Sequence, residues 1–245
     1  MPPEFVLLLA IGVFAIAVLY SSVGHAGASG YIAWMSLLSL APVVIRPTAL
    51  ALNILVASIA TWQFVRAGHF SWRLFWPFVV LAIPAAYVGG YITLSTNAFK
   101  VLLGLALLSS AAHFALSSSK QPAASSKPPL WAALAAGAAI GLLSGLTGTG
   151  GGIFLTPLLL FLGWAAPKQA AAVSAPFVLL NSVSGILGNL SATRSLPPFL
   201  VALFVAAGVG GLVGSRLGST RLSASAIKSF LAGVLVIAGG KLLFT

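Results

Sequence analysis

"GLTGTGGGIFLTP", residues 145–157, sets five glycines within eight residues and then turns apolar. In a soluble chain the first reading is a phosphate loop. A Walker loop needs Lys after its last glycines, and here Ile153 follows Gly152. A dinucleotide fingerprint needs a strand before it and an acidic residue about 20 positions on, and neither is found. What survives is a break between two membrane helices. Residues 130–147 form one, and a shorter element begins at Ile153.

The composition around this stretch supports that reading. The chain has 245 residues, 60% hydrophobic and only 5% charged, with a mean hydropathy of +1.11. Soluble domains carry roughly a quarter charged residues. Apolar runs at 5–20, 47–65, 74–94, 99–116, 130–147, 169–190, 197–215 and 227–244 approach or exceed the roughly 20 residues that a spanning helix needs. The fold class is an all-α integral membrane protein, with many passes through a membrane. The first run follows Glu4 and not a basic segment, and no small-residue cleavage site follows it, so it reads as a retained helix.

The net charge of +11 comes from twelve Lys and Arg residues scattered singly between apolar runs. They form no stripe for nucleic acid and read as loop charges under the positive-inside rule. There is no cysteine, and Glu4 is the one acidic residue. No membrane segment therefore contains a carboxylate. That excludes carboxylate proton relays, paired-carboxylate hydrolysis and Ser-His-Asp triads. Three dispersed histidines without acids or cysteines give no metal site, and no cofactor is expected. The protein reads as a non-enzyme with an interior suited to anions.

Residues 117–129, "SSSKQPAASSKPP", form a polar linker near the middle of the chain. It divides a first membrane repeat, 1–116, from a second, 130–245. The halves match weakly but in order: Gly30 with Gly152, Asn53 with Ser174, Arg73 with Arg194, Pro77 with Pro198, and Gly89-Gly90 with Gly210-Gly211. Each half then has four long runs and one short element, 31–45 and 153–166. If all ten cross, Arg66, Arg73, Lys120, Lys127, Lys168, Arg216, Arg221 and Lys228 lie on one side. Arg46, Lys100, Arg194 and Lys241 lie on the other, which favours inverted repeats. If the short elements re-enter instead, that asymmetry disappears.

Glycines let the backbone turn and leave amide N–H groups at the start of the following helix, where an oxyanion is favoured. Irregular backbone at membrane depth is tolerated only inside protein or beside water. The first half has a degenerate counterpart, "SSVGHAGASG" at 21–30. The candidate substrate-binding residues are Gly24, His25 and Ser29 in that break, and Thr147, Gly148, Thr149, Gly150, Gly151 and Gly152 in the other. Asn53 and Ser174 join them as matched polar positions on long helices, with Asn181, Ser182 and Ser184 on the Ser174 helix as second-rank candidates. Gly208, Gly210, Gly211 and Gly214 are assigned to helix packing. Trp62, Trp72, Trp76, Trp131 and Trp164 read as an interfacial belt, and His69 and His113 as interfacial.

"SGLTGTGGGIFLTPLLLFLG" and "PKQAAAVSAPFVLLNSVSGILGNL" resemble the TauE/SafE family of sulfite exporter-like permeases, whose repeats each carry a glycine-rich G-x-G-G-G-x-x-x-x-P signature. Gly148, Gly150, Gly151, Gly152 and Pro157 fit it, and "TALALNILVASIATWQFVRAGHFSWRLFWP" looks like the first-half segment. The first repeat departs: His25, Ala26, Ala28 and Ser29 interrupt the glycines, and Trp34-Met35 stands where Pro is usual. The resemblance implies transport of a sulfur oxyanion or organosulfonate such as sulfite by alternating access, in a bacterial inner membrane. A channel-like anion permease and a carrier of another small organic acid are the alternatives. The coupling ion stays open between proton and sodium, as does a homo-oligomeric state.

Overall fold

The computed structural model describes residues 2–22, 24–92, 126–190 and 196–220, together with positions 95, 97, 98, 101, 102, 104, 105, 108, 112 and 236. The run at 227–244 apart from position 236, most of the run at 99–116, and residues 117–125 lie outside the described residues, as do His113 and Arg194. Among the described residues eight helices have both bounds described, and there is no strand. They are α1 (Pro3–Ser22), α2 (Ala28–Leu37), α3 (Pro42–Arg66), α4 (Trp72–Tyr91), α5 (Leu130–Thr147), α6 (Gly152–Phe161), α7 (Pro167–Gly188) and α8 (Leu200–Thr220). Six of these are long and apolar enough to cross a membrane, all except α2 and α6. The protein is an integral, multi-pass membrane protein.

Two boundaries differ from the sequence reading. The short element expected at 31–45 ends at Leu37, and Ile45 and Arg46 belong to α3. The reason is Pro42. Its fixed φ and missing N–H suit the first helical position, so α3 starts there and carries Pro47 inside it. Likewise α6 ends at Phe161, well short of residue 166. Each short helix has ten residues, a rise of about 15 Å against a hydrocarbon thickness of roughly 30 Å.

Close backbone approaches give the helix directions. Gly137, Gly141 and Gly145 on α5 sit against the carbonyls of Phe78, Ala82 and Ala86 on α4, so these helices run parallel. Gly210, Gly214 and Gly218 on α8 sit in the same way against Phe14, Val18 and Ser22 of α1. These are four-residue ladders of small side chains of the kind that lets membrane helices touch backbone to backbone. Ser184 donates to Ile83 O at 2.6 Å, and Gly188 meets Tyr87, so α7 runs parallel to α4. Gly208 beside Leu55 and Gly211 beside Val56 align α8 with α3. The α3–α7 pair is the exception. Leu50 meets Gly185, Asn53 meets Ser182, and Ala60 and Phe64 cluster with Ala171, Ala172 and Ala175. The two helices run antiparallel.

Two bundles result. One has a core from α1, α2, α3 and α8, including Leu9, Tyr31, Leu52 and Leu203. The other has a core from α4, α5, α6 and α7, including Phe78, Ile140, Leu155 and Phe177. Trp164 is half-buried against this second core, with its ring 6.1 Å from that of Phe78. Trp62, Trp72, Trp76 and Trp131 are exposed, as a belt requires.

Candidate functional site

The Gly148, Gly150 and Gly151 backbones have φ values of 78°, 74° and 83°, the left-handed region that favours glycine. Three such residues within four positions turn the chain out of α5 and into α6 inside the protein. Every residue from Thr147 to Ile153 is buried. Gly151 is the N-cap of α6 and offers no side-chain hydrogen bond to its first turn. A buried helix start of this kind leaves backbone N–H donors facing whatever lies ahead of them.

What lies around the turn comes from the midpoints of α3 and α7. A side-chain carbon at Gly150 would fall 2.5 Å from Asn53 Nδ2, 2.7 Å from Val178 and 3.0 Å from Ser182 Oγ. Asn53 Nδ2 donates to Thr149 O at 3.4 Å and to Ser182 Oγ at 3.3 Å, while Asn53 Oδ1 has no protein partner. Thr147 Oγ1 donates to Leu143 O at 2.7 Å and lies 2.9 Å from Thr149 Oγ1. On the other flank, Gly152 faces Val178 and the His25 ring. His25 Nε2 is 2.8 Å from Thr156 Oγ1, which is 2.7 Å from Ser174 Oγ. One buried chain of hydrogen bonds thus links the first glycine break, α6 and α7.

The structure brings His25, Asn53, Thr147, Gly148, Thr149, Gly150, Gly151, Gly152 and Ser174 into one neighbourhood. Asn53 is bonded to Ser182, not to its expected counterpart Ser174, which answers to His25 through Thr156. Ser29 donates to the Tyr20 hydroxyl at 3.0 Å, and Gly24 is pressed against Ala171. Asn181 is fully buried with neither side-chain atom hydrogen-bonded.

Two residues of this region are absent from the sequence-based set. Thr156 carries the link between His25 and Ser174, and a hydroxyl one turn into an otherwise apolar short helix was its signal. Arg46 is counted above as a loop charge, yet only 9% of it is exposed, because α3 begins at Pro42 and not at Pro47. Its Nη2 donates to the carbonyls of Gly89 and Gly90, both at 2.9 Å, and of Gly145. Its Nη1 donates to Ile92 O at 3.4 Å. These acceptors are last-turn carbonyls of α4 and α5 and the residue just beyond α4, where a cation is favoured. Gly148 lies against the Arg46 stem, 2.9 Å from its Cγ at the side-chain position.

Thr156→Val keeps the shape of the side chain and removes the central hydroxyl. His25 Nε2 and Ser174 Oγ then both lose this partner in a buried setting. We expect a loss of about 1–3 kcal/mol per stranded group, read as a lower melting temperature of the purified protein in detergent.

The model of the family described as Sulfite exporter TauE/SafE matches residues 8–242. A probable membrane transporter protein of Sinorhizobium fredii is 44% identical over 240 residues, 96% of this chain and 97% of the relative. A probable membrane transporter protein of Methanocaldococcus jannaschii is 23% identical over 208 residues, 78% of this chain and 76% of the relative. No solved structure matches the chain. A family match over nearly the whole length, with a 44% identical relative of the same extent, means that the chain belongs to the sulfite exporter TauE/SafE family.

Proposed function

We propose that the protein is a carrier that moves a small oxyanion, sulfite or an organosulfonate, across the membrane by alternating access. The observation that carries this reading is the buried, uncapped start of α6, ringed by His25, Asn53, Thr149, Ser174 and Ser182 at the crossing of α3 and α7. Amide N–H groups, hydroxyls and one amide side chain can replace an oxyanion's hydration without a carboxylate to repel it. The chain's one acidic residue, Glu4, is exposed on the first turn of α1.

The proposal includes two inverted repeats, α1–α4 and α5–α8. Several observations support it. Gly24 and Gly148 have φ values of 79° and 78°, and Gly27 and Gly151, which cap α2 and α6, have 101° and 83°. Ser39 and Gly163 follow those helices at 60° and 64°, and Pro42 and Pro167 then open α3 and α7. The pairing α4–α5 has α8–α1 as its counterpart, with Gly89 meeting Leu142 as Gly214 meets Val18. Equivalent helices also point in opposite directions, most directly the antiparallel α3 and α7. This register differs from the matches Gly30–Gly152, Asn53–Ser174 and Gly89-Gly90 with Gly210-Gly211. Asn53 corresponds instead to Val178. Rocking of the two bundles about the α3–α7 seam, where Ala60, Ala171, Ala172 and Ala175 are small enough to slide, would expose the site to each side in turn.

The test is flux of sulfite into proteoliposomes containing purified protein, with pH and sodium gradients imposed separately and sulfate, thiosulfate and taurine as competitors. Saturable flux that the competitors reduce is the expected result, and the gradient response identifies the coupling ion. Flux that rises linearly without saturation would favour a channel. No flux for any of these anions would remove the substrate assignment.

A further inference from the structure

The Arg46 guanidinium is a full positive charge buried among neutral groups. No carboxylate can neutralise it from within, since Glu4 is exposed on α1 and is the one acidic side chain in the sequence. Nη2 has two hydrogens and faces three carbonyls, while Nη1 has one long bond, so the group's donors are unevenly used. A buried charge without a counter-charge is costly, and in a membrane interior it marks a pathway or a ligand.

Two other buried side chains, on the facing helices α5 and α7, lack partners. Ser144 precedes Gly145, whose carbonyl Arg46 holds, and its Oγ is fully buried with no hydrogen bond. Asn181 on α7 is equally buried, with Nδ2 and Oδ1 both unpaired. Its position is bracketed by its neighbours one turn either way. Phe177 approaches Gly151, which Ser144 also touches, and Gly185 approaches Gly145. Buried polar atoms are almost always satisfied, so a hydroxyl, a whole amide and an unneutralised guanidinium along one seam call for an occupant. Gly148 meets Arg46 as Gly24 meets Ala171, so of these two like contacts one carries a charge and the other a methyl group.

We infer that Arg46, Ser144 and Asn181 form an anion station between α3, α5 and α7 that adjoins the α6 start, where Ser144 touches Gly151, and extends towards the Arg46 guanidinium at the Gly145 carbonyl. The guanidinium supplies the counter-charge and Ser144 Oγ and Asn181 Nδ2 supply neutral donors to a small oxyanion. This station rests on the carrier reading and gives it a charged binding step on one side of the central turn.

The test is sulfite binding to purified full-length protein, by titration calorimetry and by anion-dependent thermal shift, in wild type, Ser144→Ala, Asn181→Leu, Arg46→Lys and Arg46→Met. Removing unpaired polar atoms should not weaken the fold, so Ser144→Ala and Asn181→Leu should melt at or above the wild-type temperature without anion. Both should bind sulfite about 10-fold or more weakly. Arg46→Lys should retain weakened binding, and Arg46→Met should lose it. Wild-type affinity in Ser144→Ala and Asn181→Leu would overturn the station while leaving the carrier reading intact. Wild-type protein that binds none of sulfite, sulfate, thiosulfate and taurine would overturn both. A pure clasp role for Arg46 predicts lower melting in both Arg46 variants with unchanged sulfite affinity, which also overturns the station.

Discussion

Gly150→Val is expected to abolish sulfite flux while the protein still inserts and purifies. The residue has φ +74°, a region that a β-branched side chain enters only at a cost. Its first carbon would lie 2.5 Å from Asn53 Nδ2 and 2.7 Å from Val178 Cγ1. Relief requires the start of α6 to move away from α3 and α7, which dismantles the ring of donors. Strain of about 3 kcal/mol in the binding-competent arrangement corresponds to a loss of about 100-fold. None of the six long apolar helices contains Gly150, so the spans that drive insertion are unchanged. Gly150→Ala should fall between, because it keeps the backbone strain and adds a smaller clash. Wild-type flux in Gly150→Val would show that the α6 start is not where the anion binds. Gly68→Ala is the matching control, since Gly68 also has positive φ but meets nothing within 4 Å.

The glycine break was legible because consecutive glycines cannot stabilise a helix, and the long runs were legible because their composition has one solvent to match. The run 130–147 became α5 without adjustment. Arg46 was not legible. A single cation between two apolar stretches looks the same whether it caps a loop or enters a bundle, and Pro47 hid the earlier start signal at Pro42. The register of the proposed repeats was also hard to read. In helices this apolar, a slip of one turn still pairs small with small, as matching Gly89 to Gly210 and not to Gly214 illustrates. Left-handed φ values at Gly24, Gly148, Gly27 and Gly151 support the register of the proposed repeats, and sequence alone does not display them. Thr156 escaped because a hydroxyl's partner is set by helix rotation, on which an apolar helix without a polar face gives no information.

Gly141→Val should have the opposite outcome, with loss of the fold and not of the site alone. Gly141 faces away from the α6 turn's own contacts, Ile140 and Ser144, and lies against the backbone of α4. A carbon added there meets Ala82 Cα at 2.6 Å and the Ala82 carbonyl carbon at 2.8 Å, with the oxygen nearer still. A side chain could rotate away, as the neighbours of Gly150 can in part, but a helix backbone cannot yield locally. Either α4 and α5 separate along their length, or the valine is not accommodated. Gly137 and Gly145 repeat the same contact one turn on each side, so separation at Gly141 also opens those layers. The lost dispersion is not replaced by a hydrophobic gain, since lipid is as apolar as the helix it would meet. Overpacking typically costs about 1–3 kcal/mol, and a backbone contact lies at or beyond the upper end. The expected result is a melting temperature far below wild type and an aggregated peak in size-exclusion chromatography, whatever anion is present. If Gly141→Val melts as the wild type does, the parallel α4–α5 contact does not hold the second bundle together. If it melts low while Gly150→Val melts normally, flux lost in the latter belongs to the site. The two glycines then separate what the bilayer requires of this chain from what its cargo requires.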